Sequence, residues 1–149
     1  MNMNKLIGMM LALLLCINCS TSKDRKVEKK ITYILLQYVE WDLETPLSVN
    51  CDLFDTYFLD DFKHTIKITD SLSCDTLKQK FNTFRIIKEK MDIKPDVRIK
   101  IKITYDTGKT SKICIGYNRI ITVDGSIVEY NSDVVEFVRN YININEHKN

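Results

Sequence analysis

Glycine and proline are scarce in this 149-residue chain, four and two in all. That scarcity argues against long flexible inserts. Histidine occurs only as His64 and His147. Neither stands at metal-ligand spacing from another histidine or a cysteine, and no C-x-x-C or H-E-x-x-H run occurs. No metal or cofactor is therefore expected. A glycine-rich phosphate loop is missing too, because Gly108-Lys109-Thr110 reads as part of a hairpin. Neither sign of charge dominates, with 22 basic residues against 20 acidic ones. Such a balance argues against nucleic acid as a bulk electrostatic partner. The one adjacent carboxylate pair is Asp60-Asp61. Neighbouring helical residues point about 100° apart, so this pair does not converge on one substrate bond as acid–base chemistry demands.

Long apolar runs are also lacking, with one short exception at the start. Lys5 and the amino terminus make a positive leader, and Leu6 to Leu15 form an apolar run that stops at Cys16. A bilayer-spanning helix needs about 20 apolar residues, so this run is too short. It suits the hydrophobic region of a secretory signal. No later segment is long and apolar enough to span.

The end of that run resembles a bacterial lipoprotein signal, in which a peptidase cuts before a cysteine that is then acylated. Two cysteines compete. Cys16 has Leu13 three residues before it, but Leu15 stands where a small residue is usual. Cys19 follows the small Asn18 and precedes Ser20-Thr21-Ser22, a common start for a lipoprotein tether. Cys19 is the preferred attachment residue and Cys16 the alternative. The resemblance implies a protein fixed to an envelope membrane by its lipid, on the periplasmic or the surface side of the outer membrane. One acyl chain anchors marginally and several anchor stably. Ser22-Lys23-Asp24 is weaker in acid than the sorting signals of Bacteroidota-like surface lipoproteins, so both sides stay open.

The expected organisation is a signal over 1–18, a charged tether over 19–30 and one domain over 31–149. Ser20 to Lys30 has almost no apolar surface to bury, and should stay mobile. Ile31 to Trp41 reads as a strand covered on at least one face. Asn50 is a helix cap, with Cys51, Phe54, Phe58 and Phe62 spaced for one helical face. A short strand over 65–69 follows. A second helix opens at Ser73, carries Leu77, Phe81, Phe84 and Lys88 at helical spacing, and ends before Pro95.

The second half alternates with period two. Val97, Ile99, Ile101, Ile103 and Tyr105 alternate with Arg98, Lys100, Lys102 and Thr104, the pattern of a strand with one wet face. Turns at 106–109, 117–119 and Asp124-Gly125 separate three further strands. Asn131 or Ser132 caps a last helix with Val134, Val135, Val138, Tyr141 and Ile142 on its buried stripe. These elements specify an α+β fold: an antiparallel β-meander with about three helices, mainly on one face.

Cys51, Cys74 and Cys114 follow the signal. Export into an oxidising compartment permits one disulfide, leaving one thiol. The favoured pairing is Cys51–Cys114; three reduced, packed cysteines are the other reading. Arg98, Lys100 and Lys102, with Lys112 on the neighbouring strand, make a basic row. Its retention calls for acidic neighbours or an anionic partner, an acidic protein or polyanion. Otherwise it is the solvated face of a sheet. If the row is open, changing Lys100 and Lys102 to Glu alters folding by less than about 0.5 kcal/mol. No catalytic motif was found, so the first functional reading is a lipid-anchored binding module without chemistry of its own. An inhibitor or immunity-type lipoprotein that blocks an exported enzyme is the second, and a periplasmic hydrolase the third.

Overall fold

A computed structural model describes residues 30–88 and 93–146. The signal and most of the tether, with Cys16 and Cys19, lie outside the described residues, as does His147. The elements are β1 (Ile31–Tyr38), α1 (Phe54–Tyr57), β2 (His64–Ile68), α2 (Ser71–Phe81), β3 (Val97–Tyr105), β4 (Thr110–Gly116), β5 (Ile121–Val123), β6 (Ser126–Val128) and α3 (Ser132–Glu146). The strands form one six-stranded sheet in the order β2-β1-β3-β4-β5-β6. Every neighbouring pair is antiparallel. The fold is a single α+β domain, and no described helix is long and apolar enough to cross a membrane.

Period-two patterning decides which residues face the main core. Ile34 and Leu36 of β1, Ile99, Ile101 and Ile103 of β3, and Ile113 and Ile115 of β4 are all buried on one face. Helix α2 covers that face with Cys74, Leu77 and Phe81, and α3 covers it with Val134, Val135, Val138 and Ile142. Burying one such aliphatic side chain contributes roughly 1.5–3 kcal/mol. Helix α1 is on the opposite face. There Phe54 and Phe58 close a smaller cluster with Val39, Val49, Val97 and Cys114. Strict alternation would keep Val97 with Ile99. A register irregularity between them lets Val97 join the second cluster instead, as bulges do.

Caps and turns come from short polar side chains. The Asn131 side chain accepts from the backbone N–H groups of Asp133 and Val134, which starts α3. Asp124 and Gly125 both hold positive φ, 49° and 84°, as a type I′ hairpin requires. Two helical expectations need correction. Asn50 does cap a turn, accepting from Asp52 and Leu53, but α1 is only four residues long and Phe62 is exposed beyond it. Helix α2 is capped by Asp70, not opened by Ser73, and it stops at Phe81. Past it the chain returns to the sheet, where Ile86 bridges to Val128. Phe84 therefore packs by ring stacking on Phe81, not through a further helical turn.

Candidate functional site

The cysteines are divided by the sheet. Cys51 and Cys114 form a disulfide across 63 residues, with Cα atoms 5.8 Å apart. Cys114 points to the α1 side, opposite Ile113 and Ile115. Cys74, the third candidate, is free and buried on α2, in the core of the other face. The sheet itself lies between it and the pair, which keeps its thiol away from the disulfide. Burial, reinforced by the carboxylates of Asp70 and Asp75, pushes the Cys74 thiol up and keeps it protonated.

The disulfide pins residues 50–63 as a strap over the basic row. Arg98, Lys100, Lys102 and Lys112 do not form an open row of cations. Lys100 is only 6 % exposed, and its Nζ lies 2.6 Å from Asp55 Oδ2. Arg98 is only 3 % exposed. Its Nη1 and Nη2 reach the two Asp96 carboxylate oxygens at 3.0 Å each. Lys112 donates to Asp52 Oδ1 at 3.0 Å. Lys102 alone of the four is exposed. The physical reason is that the chain supplies its own acidic partner. Asp52 and Asp55 lie on the strap, and the buried Phe54 and Phe58 hold it down.

Two carboxylates of this structure, the ion-paired Asp52 and the helix cap Asp70, carry a pH dependence. The Lys112 ammonium, by hydrogen bond and then by charge, holds the Asp52 carboxyl below its usual value near 3.8. The Ser73 N–H that α2 aims at Asp70 lowers that carboxyl as well. A carboxyl whose folded value is depressed stabilises the fold fully above its unfolded value. That contribution is lost as pH falls through the folded one. Thermal midpoints should therefore fall on acidification below about pH 4. Asp52→Asn and Asp70→Asn should each flatten that fall, which scanning calorimetry between pH 2 and 7 would read directly.

The strongest candidate site is a ledge at one end of the sheet. Strand β1 leaves the sheet at Tyr38, tied by the Val39 N–H to the Arg98 carbonyl, and runs into Glu40-Trp41-Asp42-Leu43-Glu44. Arg98 Nη2 also donates to the Leu43 carbonyl at 2.8 Å, which clamps this loop. The Trp41 ring stands 5.9 Å from that of Tyr117, tilted by 54°. Arg139 from α3 lies over Trp41 at 4.7 Å, and the Arg98 guanidinium is 6.0 Å from the Tyr117 ring. The result is a ladder of cation, ring, ring and cation from four separate parts of the chain. Tyr117 at its centre is 53 % exposed.

Two depressions flank Trp41. A cleft of about 200 Å³ is lined by Tyr38, Glu40, Trp41, Asp42, His64, Arg139 and Glu146. A wider groove of about 620 Å³ runs past Asp42, Glu44, Thr45, Asp96 and Tyr117. His64 stacks on Tyr38 with centroids 5.2 Å apart. Burial, then the Glu146 carboxylate that accepts the phenol's hydrogen bond, pushes Tyr38 well above the usual tyrosine range. Tyr38 thus stays a neutral donor. Together the two depressions carry five carboxylates against two guanidiniums. No protein-family model, curated protein or solved structure matches the chain.

Chemically, the ledge offers flat apolar rings, fixed cations and a surplus of acid. No serine, threonine or cysteine lines the small cleft among the described residues, and no group of three metal-ligating side chains is assembled among them. Asp60 and Asp61 stay apart from the ledge, on the strap, where Asp60 pairs with Lys63 at 3.3 Å. Of the ledge residues, Arg98 was legible as special in sequence, but for another role. Nothing in their local sequence marks Tyr117, Arg139 or Glu146. Glu40-Trp41-Asp42 was the available signal: a large ring between two acids, just before a proline turn.

Proposed function

We propose that this protein is a lipid-anchored binding module with no chemistry of its own, and that the Trp41–Tyr117 ledge is its contact surface. The ladder in which buried Arg98 backs the exposed Tyr117, and Tyr117 and exposed Arg139 flank the half-buried Trp41, is the observation that carries this reading. Tryptophan, tyrosine and arginine are the residues that most often dominate binding energy at interfaces. Rings held by flanking contacts lose little freedom on binding. Position supports the same reading. A tether acylated at Cys19 enters the domain at Ile31, and the ledge lies at the far end of β1, eight residues or about 26 Å along the strand. The ledge would then face away from the membrane.

One experiment in cells tests the anchor and the surface together. A photo-crosslinking amino acid placed at Tyr117 should yield a discrete adduct, and the same group at the exposed Leu72 of α2 should not. Trp41→Ala should abolish the adduct while circular dichroism shows the fold intact. Cys19→Ala should release the protein from the membrane fraction. Equal crosslinking from Leu72, or an adduct indifferent to Trp41, would defeat the ledge. Membrane retention in Cys19→Ala would move the anchor to Cys16.

A further inference from the structure

The small cleft beside Trp41 has a chemistry more specific than a general contact surface. Three rings, Tyr38, Trp41 and His64, supply its walls. Three carboxylates, Glu40, Asp42 and Glu146, line it against a single cation, Arg139. That cation is already engaged, its guanidinium lying over the Trp41 ring at 4.7 Å. Tyr38 uses one bond to Glu146, but an ionised carboxylate accepts about four, so Glu146 retains acceptors for a ligand. A volume of about 200 Å³ is below the usual range for drug-sized ligands, roughly 300–1,000 Å³. It suits one inserted side chain.

We infer that this cleft receives an arginine side chain of a partner protein. The guanidinium would sit against the rings and fork its hydrogen bonds to Glu146 and Asp42. Guanidinium matches these features better than ammonium. It is planar, stacks on aromatic faces, pairs with carboxylates in two bonds at once and is more weakly hydrated. Arg139 on Trp41 is this chain's own instance of the same stacking. The inference rests on the binding-module reading and names the chemistry of the partner: a basic surface that leads with arginine. This reverses the partner expected from the basic row, since the strap's Asp52 and Asp55 already answer those lysines.

The test needs no partner. The chain has one tryptophan, so Trp41 fluorescence reports directly on the cleft. The domain is titrated with N-acetyl-arginine amide and, in parallel, with N-acetyl-citrulline amide, its neutral isostere. The arginine probe should give a saturable change with a Kd of order millimolar, about the affinity of a single side chain. It should bind at least about tenfold tighter than the citrulline probe and weaken in 0.5 M salt, where charge is screened. The Asp42→Asn/Glu146→Gln double variant, both positions exposed, should lose about tenfold with its thermal midpoint little changed. Equal binding of the two probes, no binding, or an indifferent double variant would each overturn the inference. Those outcomes concern only the cleft; loss of the Tyr117 adduct would concern the ledge as a whole.

Discussion

Replacing Cys51 and Cys114 together by alanine should destabilise the domain by about 4 kcal/mol, the entropy that a 63-residue loop withholds from the unfolded chain in the loop-closure view. For a domain of this size that corresponds to roughly 10 °C or more in thermal midpoint. The effect should be uneven. The disulfide joins β4, in the middle of the sheet, to the strap. Without it, the strap keeps only the burial of Phe54 and Phe58 and its two ion pairs to the sheet. Amide exchange at Phe54, Tyr57 and Phe58 should accelerate first, while the β1–β3 and β3–β4 ladders remain protected. Urea titration combined with exchange mass spectrometry would measure both. A loss below about 1 kcal/mol, or exchange that rises evenly over the sheet, would show that the disulfide does not hold the strap.

The second large effect separates two lysines of one strand. Lys100→Glu should cost about 3 kcal/mol, because it sets a second carboxylate against Asp55 in a place with almost no water. Breaking a fully buried pair costs about 3–5 kcal/mol. The half-exposed Asp55 moderates the figure. Lys102→Glu, two residues along the strand, should stay within about 0.5 kcal/mol. Lys102 is exposed and stands directly opposite Lys112, so its reversal even relieves a like-charge pair. Urea midpoints of the two single variants decide the matter. Equal effects would mean that the strap does not shield Lys100. The same comparison corrects the expectation of two neutral substitutions, which treated both lysines as surface residues.

Local pattern was sufficient wherever one residue's neighbours in sequence are also its neighbours in space. The alternation Val97 to Tyr105 specified β3, and Asp124-Gly125 specified the β5–β6 hairpin, because backbone pleat and positive φ are local properties. Asn131 or Ser132 was readable as a cap for the same reason, and the structure uses Asn131. Pairing Cys51 with Cys114 was also within reach, since Cys114 between two core isoleucines had to face the other side. The extent of α1 was not readable. Phe54, Phe58 and Phe62 have helical spacing, yet the strap's shape is set by the disulfide and by Lys100 and Lys112 beneath it, all distant in sequence.

Composition and periodicity by themselves determined the antiparallel sheet, the α+β class and the near-neutral charge. Tertiary structure decided what that charge does. A sequence shows that Arg98, Lys100 and Lys102 share an alternating face. It cannot show that a segment 45 residues earlier folds back to bring Asp55 against Lys100. Nor can it show that Trp41, Tyr117 and Arg139 converge at one end of the sheet. The reason is geometric. Alternation places a side chain on a face, whereas what covers that face depends on loop closure over tens of residues. Here loop closure covered Lys100 and left Tyr117, Asp42 and Glu44 open to solvent.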